Sequence, residues 1–215
     1  MHTRDFRILI ADDHATVRRG VKELLREEFP SAVFAEAATA SEALDHCGRE
    51  CWDLILLDIT MPGRSGLDIL RDLKLCCPRT AVLVQSMHAE DQFASRVLKG
   101  GAAGYVTKQT MPQELVRAAR KVLAGGRYVS ESFAEKLVAT LADGEKAAHE
   151  SLSDREFQVL RKLAAGQSLK EIGSELSLSI KTVSTYRTRL LQKLALGSNA
   201  DLARYAVEHG LLADA

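Results

Sequence analysis

No charge of one sign dominates this sequence: 29 Lys and Arg face 29 Asp and Glu over 215 residues, so no overall basic field draws the chain onto nucleic acid or an anionic membrane. Long apolar runs are missing too. Stretches such as Leu54 to Leu57 fall far short of the roughly 20 residues a membrane span requires, so no membrane partner is expected. Met1 to Arg7 carries three charges, and Ile8 to Ala11 is too short for the apolar part of a secretory signal, which predicts a cytoplasmic protein. Cysteine is sparse. Cys47, Cys51, Cys76 and Cys77 include no Cys-x-x-Cys pair with a second Cys or His pair at zinc-finger spacing, and they read as reduced thiols on helix faces. There are no internal repeats and no low-complexity segment.

What is present suits globular domains: 46% hydrophobic and 27% charged residues supply real cores and argue against disorder. The length favours two modest domains over one. Residues 1–150 hold 20 basic and 22 acidic side chains, and residues 151–215 hold 9 and 7, so the small basic surplus lies at the C-terminal end. The first 125 residues alternate short aliphatic runs with amphipathic stretches, the pattern of βα units around a parallel sheet. Strands are predicted at Arg7–Ala11, Ala32–Ala37, Leu54–Leu57, Ala81–Gln85 and Gly104–Thr107. Such a doubly wound sheet binds its ligands beyond the carboxyl ends of the strands.

Residues 126–150 read as a linker. It contains a helix over 130–142, capped by Ser130 with Phe133, Leu137, Val138 and Leu141 on its apolar face, and then a polar stretch from Glu145 to Glu150 without helix or strand period. Residues 151–215 show only helical periodicity, in four pieces. Ser153 and Glu156 form a capping box at the first, Ser168 to Leu176 is the second, Ile180 to Leu194 the third, and the fourth starts at Asn199.

Asp12 and Asp13 directly follow the first strand and Asp58 the third, so in a parallel sheet the three carboxylates converge at one edge. Like charges this close need a cation, and oxygen ligands suit Mg²⁺. Ser86 and Lys108 end the fourth and fifth strands at the same edge. A hydroxyl and an ammonium opposite a carboxylate–metal pair are what a phosphorylated Asp58 would need. Singly, these residues read as turn residues, caps and surface charges; their joint placement carries the inference.

Through ILIADDH, LILLDITMPGRSG, VLVQSMHAED and GAAGYVTK, residues 1–125 resemble the receiver domain of two-component response regulators, a five-stranded fold of the flavodoxin or CheY type. The resemblance implies that Asp58 accepts a phosphoryl group from a histidine kinase. It implies that Asp12, Asp13, Asp58 and the Thr60 backbone hold Mg²⁺, and that Ser86 and Lys108 bind phosphoryl oxygens. Tyr105 matches the switch aromatic, although a half-buried strand aromatic is the plainer alternative. Thr60 and His88 occupy positions where the family tunes dephosphorylation. Gln109 stands where many receivers have proline, so a trans Lys108–Gln109 bond is expected.

The third C-terminal helix gathers Ile180, Val183, Leu190, Leu191 and Leu194 on one face and Lys181, Thr182, Thr185, Thr188, Arg189 and Gln192 on the other. Between Ser177 and Gly197 the charges are Lys181, Arg187, Arg189 and Lys193, with no acid among them, which suits an approach to phosphates. The short preceding helix and tight turn make a helix-turn-helix. Through LSDREFQVL, AAGQSLKEIGSEL and LSIKTVSTYRTRLLQKL, residues 151–211 resemble the LuxR-type DNA-binding domain, with Gly173 where the family usually has Ala. That resemblance places Lys181, Thr182, Ser184 and Thr185 toward bases or nearby phosphates, and Lys170, Tyr186, Arg187 and Arg189 on or near the DNA backbone. It gives the last helix to dimerisation, whereas its apolar side alone reads equally as core.

The two resemblances together are those of the NarL/FixJ class of response regulators. They imply a phosphorylation-controlled, dimeric DNA-binding transcription regulator with at most weak autophosphatase activity. An aspartyl-phosphate phosphohydrolase is the rival from another class; it is disfavoured because Ile59–Thr60 leaves no second Asp two residues past the nucleophile. A DNA-binding protein with a vestigial receiver is disfavoured by the complete set of site residues.

Overall fold

The computed structural model describes residues 5–61, 66–87, 90–135, 138 and 148–212. The chain divides into two compact units, Met1–Leu137 and Val138–Ala215. In the first, five strands alternate with five helices: β1 (Arg7–Ala11), α1 (Ala15–Glu28), β2 (Val33–Ala37), α2 (Ala40–Arg49), β3 (Leu54–Asp58), α3 (Gly66–Cys76), β4 (Ala81–Ser86), α4 (Glu90–Lys99), β5 (Gly104–Thr107) and α5 (Pro112–Leu123). All pair in parallel in the order β2-β1-β3-β4-β5. This is the expected doubly wound sheet, with each strand within a residue or so of its expected span.

Burial on both sheet faces explains the continuous apolar runs. Ile8, Ile10, Leu54, Leu56, Leu83 and Val106 share one cluster with Val21 and Leu25 of α1 and Leu115, Ala118 and Val122 of α5. By the period of two, Leu9, Ile55 and Leu57 turn to the opposite face, where α2 contacts β1 and α3 contacts β3. Thr39 caps α2, and Pro112 opens α5, where its missing N–H costs no helical bond.

All four cysteines are free. Cys47 is buried on α2, and burial, with Cys77 beside it, pushes its thiol up to about 12. Cys51 departs from the expected helix-face placement: it is exposed past the end of α2.

Past α5 the chain returns to the sheet. Tyr128 forms a parallel bridge to Gly104, accepting from Tyr105 N–H at 3.0 Å and donating to the Ala103 carbonyl at 2.9 Å. Glycine is required there: a Cβ on Gly104 would lie 2.6 Å from the Tyr128 carbonyl oxygen. Ser130 then caps the helical residues 131–135, its Oγ accepting from Phe133 N–H at 3.1 Å, and Phe133 is buried. Val138 is also helical but 67% exposed, so it does not share the buried face expected of it; most of the remaining expected helix and Glu145 lie outside the described residues.

In the second unit a 3-10 helix, Ala148–Ser151, precedes α6 (Asp154–Ala164), α7 (Leu169–Leu176), α8 (Ile180–Lys193) and α9 (Asn199–Glu208). The 3-10 turn stands at the end of the stretch 145–150 that the sequence reads as a polar linker without helix or strand period. His149 anchors it to Tyr205, its backbone N–H donating to the phenol oxygen at 3.2 Å with 3.0 Å between Nδ1 and that oxygen, and its ring lies against Phe157. Ser153, Ser168, Ser179 and Ser198 each cap one helix, with full capping boxes at Ser153–Glu156 and Ser168–Glu171. α6 packs against both α8 and α9 and supplies Phe157, Leu160 and Leu163 to the core.

Candidate functional site

Topology brings the acidic groups together. Asp12 follows β1, Asp58 ends β3, Ser86 ends β4 and Lys108 follows β5, and these four strands are hydrogen-bonded neighbours running the same way. Lys108 Nζ lies 2.7 Å from Asp12 Oδ2 and 2.7 Å from Asp58 Oδ2, with all three side chains at most 7% exposed. Burial alone would lower the pKa of this ammonium, but the hydrogen bonds to Asp12 and Asp58 outweigh it and hold the value above the ordinary lysine range. The lysine is a fixed positive charge at the sheet edge. Its backbone N–H donates to the Ser86 carbonyl at 2.7 Å, and Ser86 itself is fully buried.

Asp58 Oδ1 accepts the Thr60 backbone N–H at 2.8 Å and the Thr60 hydroxyl as well, so the exposed Thr60 orients the carboxylate. Two residues not singled out from the sequence belong here. His14 Nδ1 lies 2.8 Å from Asp13 Oδ1 and 3.3 Å from Asp12 Oδ1, and Arg18 donates to the Asp12 carbonyl at 2.6 Å while reaching Glu36 on β2. The only sequence signal for either was proximity to the acidic pair, His14 beside it and Arg18 one turn into α1.

The donor set fits a hard cation. One ligand atom each from Asp12, Asp13, His14 and Asp58 lie within 4.8 Å of one another. Asp12 Oδ2 and Asp13 Oδ1 are buried, each facing a single side-chain nitrogen, Lys108 Nζ at 2.7 Å and His14 Nδ1 at 2.8 Å. Buried carboxylate oxygens in this condition are candidates for metal coordination.

Tyr105 is fully buried on β5, more so than the half-buried strand aromatic considered as its alternative. Among the described residues no peptide bond is cis, so Lys108–Gln109 is trans as expected. His88 lies outside the described residues.

The second unit presents α8 as expected in most positions. Val183, Leu190 and Leu194 are buried, while Lys181, Thr185, Thr188, Arg189 and Gln192 are exposed and Thr182, Ser184, Tyr186 and Arg187 are intermediate. Ile180 is the correction: it is 54% exposed. A helical side chain covers the turn N-terminal to its own Cα, and at the first helical position that places it past the α8 packing face. Lys170 is exposed on α7. Arg187 is bound within the domain, its Nε donating to Asn199 Oδ1 at 2.6 Å, which ties α8 to the start of α9. The turn between α7 and α8 closes through Ser177 in the left-handed region (φ 55°) and Leu178 N–H donating to the Gly173 carbonyl at 2.8 Å. A Cβ on Gly173 would lie 2.8 Å from the Leu178 carbonyl oxygen, so this turn closes on glycine.

Comparison with known proteins agrees with both halves. A family model described as the response regulator receiver domain matches residues 8–120, and one described as bacterial regulatory proteins, luxR family, matches residues 150–206. The chain is 34% identical over 206 residues to the response regulator UvrY of Escherichia coli (strain K12), covering 95% of this chain and 94% of the relative. It is 36% identical over 208 residues to the response regulator GacA of Pseudomonas aeruginosa, covering 96% and 97%. Among solved structures, RcsB from Salmonella enterica serovar Typhimurium, bound to a promoter in the presence of the phosphomimetic BeF3−, aligns with a TM-score of 0.67 at 26% identity, covering 95% of this chain and all of that one. The chain belongs to the response regulators of the NarL/FixJ class, with a receiver domain followed by a LuxR-type DNA-binding domain.

Proposed function

We propose that the protein is a phosphorylation-controlled transcription regulator in the cytoplasm, modified at Asp58 by a sensor histidine kinase and binding promoter DNA as a dimer when modified. The observation that carries this reading is the Lys108 ammonium held 2.7 Å from the Asp58 carboxylate at the edge that also carries Asp12 and Asp13. An Asp58 oxygen forms the new bond to phosphorus as the P–N bond of the donor phosphohistidine breaks and the imidazole leaves with a proton from solvent. Asp12, Asp13, Asp58 and the Thr60 backbone would hold Mg²⁺, which would supply neutralisation of negative charge on the phosphoryl oxygens.

Lys108 then turns from Asp12 to the added phosphoryl group, whose charge of about −1.5 to −2 needs a fixed cation. Ser86 supplies a hydroxyl hydrogen bond, and Tyr105 on β5 follows as the switch aromatic. Thr60 and His88 set how readily water reaches the phosphoryl group. This binary switch shifts a pre-existing equilibrium toward the DNA-binding state.

At the DNA, Lys181, Thr182, Ser184 and Thr185 meet bases or nearby phosphates in the major groove, and Lys170, Tyr186, Arg187 and Arg189 meet the backbone. The promoter-bound RcsB relative supports this half of the reading. Val207, 66% exposed on α9, suits that helix to a two-fold contact matching paired half-sites.

The protein is a switch and not a turnover enzyme, because Thr60 stands two residues past Asp58 where a phosphohydrolase needs an acid. Acetyl phosphate with Mg²⁺ tests this. A switch gives slow, stoichiometric labelling of the Asp58 peptide, absent in Asp58→Asn; fast multiple turnover of acetyl phosphate, or labelling that survives Asp58→Asn, would refute it.

A further inference from the structure

The segment that leaves the receiver is tied at one short stretch to the start of β5 and to the start of α4, the helix that follows β4. On the β5 side, Tyr105 N–H donates to the Tyr128 carbonyl at 3.0 Å, and Tyr128 N–H returns to the Ala103 carbonyl at 2.9 Å. Tyr105 lies three residues before Lys108. On the β4 side, Glu90 is the first residue of α4 and lies four residues past Ser86, and its Oε1 accepts the Ser130 backbone N–H at 2.9 Å.

Ser130 faces both ways. Its N–H belongs to Glu90, while its Oγ caps Phe133 N–H at 3.1 Å and its carbonyl accepts Ala134 N–H at 3.0 Å. The residue that starts the helical stretch 131–135 is therefore also the residue held by the start of α4. The stretch has little freedom to slip. The Tyr128 hydroxyl donates to Glu114 on α5, the Arg117 and Lys121 cations lie 5.9 Å from its ring centre, and the Gly104 backbone approaches too closely to admit a Cβ.

We infer that Glu90 is a positioning residue linking Asp58 phosphorylation to the chain that leads out of the receiver, through its hydrogen bond to Ser130 N–H. The link rests on the phosphoacceptor reading above. A phosphoryl group bonded to both Ser86 and Lys108 fixes the ends of β4 and β5 against each other. Glu90 follows the end of β4, and Tyr128 is bridged to Gly104 at the start of β5, the strand that Lys108 follows, so fixing the two strands against each other holds Glu90 at a constant distance from Ser130. The charged acceptor makes this bond stronger than a neutral one, and it sits at the N-terminus of the helical stretch, where it sets where that stretch begins.

Residue-resolved amide exchange by NMR on the full chain tests this, with Mg²⁺ and beryllofluoride as the probe of the modified state. In the wild type, addition of the probe slows exchange of the Ser130 amide roughly tenfold, the scale of one charge-assisted hydrogen bond. Glu90→Ala abolishes that slowing while the amides of Thr60 and Lys108 respond as in the wild type. Glu90→Gln, whose side-chain carbonyl still accepts, keeps a slowing at Ser130, which a purely structural loss would not. Slowing at Ser130 that survives Glu90→Ala, or a wild-type Ser130 that stays unchanged while Thr60 and Lys108 respond, overturns the link alone. Absence of any response at Thr60 and Lys108 in the wild type overturns the phosphoacceptor reading and the link with it.

Discussion

Glu156 Oε2 accepts a hydrogen bond from Lys193 Nζ at 2.7 Å, joining the first turn of α6 to the last residue of α8. The same carboxylate accepts the Ser153 N–H of the capping box, so one buried group fixes a helix start and a helix–helix contact. Burial would raise its pKa, but the bonds from Lys193 and Ser153 outweigh it and hold the carboxyl below its ordinary value. A depressed folded-state pKa contributes stability that is present above the unfolded value and is lost as pH falls through the folded one. Glu156→Gln is expected to destabilise the second unit by about 1–2 kcal/mol at pH 7. The difference from the wild type narrows as pH drops below about 4, measured as thermal unfolding of the full chain across that range.

Lys108 opposes a cation at the same oxygens. Its ammonium occupies Asp12 Oδ2 and Asp58 Oδ2, so Lys108→Ala removes a competitor and leaves the carboxylates uncompensated. Mg²⁺ affinity is expected to rise several-fold, on the order of 1 kcal/mol, in titration calorimetry, while the amide response of Ser86 to beryllofluoride is lost.

Gly104→Ala places a methyl group 2.6 Å from the Tyr128 carbonyl oxygen, a backbone atom that cannot rotate away. The expected cost is about 1–3 kcal/mol in denaturant unfolding of the first unit, with the Tyr105 amide losing protection as its acceptor is pushed off.

On DNA the exposed residues of α8 divide by role. Lys181→Ala is expected to weaken binding about equally across sequences and to reduce the salt slope by about 1, whereas Thr185→Ala changes sequence preference at one position of each half-site. Binding selection on random DNA at several salt concentrations separates the two.

The sheet was legible because β1, β3 and β4 carry aliphatic runs, and the site because parallel topology sends Asp12, Asp58, Ser86 and Lys108 to one edge whatever the helices do. What escaped depends on approach between distant segments. Ile180 has the right angular position for the apolar face and lacks only a neighbour beyond the helix end. The 3-10 turn at His149 is stabilised by Tyr205, 56 residues away, and no local period announces it. Arg18 and Glu90 likewise look like ordinary surface residues until their partners are in place, the Asp12 carbonyl and Glu36 for the first and the Ser130 N–H for the second.

Sheets of this kind have two rims at which a foreign strand could add, and aggregation begins at such rims. The Tyr128 bridge already occupies amide and carbonyl groups on the free side of β5. On β2, Glu36 is gripped by Arg18 and Lys22, which sets charge along the other rim. The receiver is thereby guarded against runaway strand addition on one side by its own chain and on the other by an ion-pair cluster.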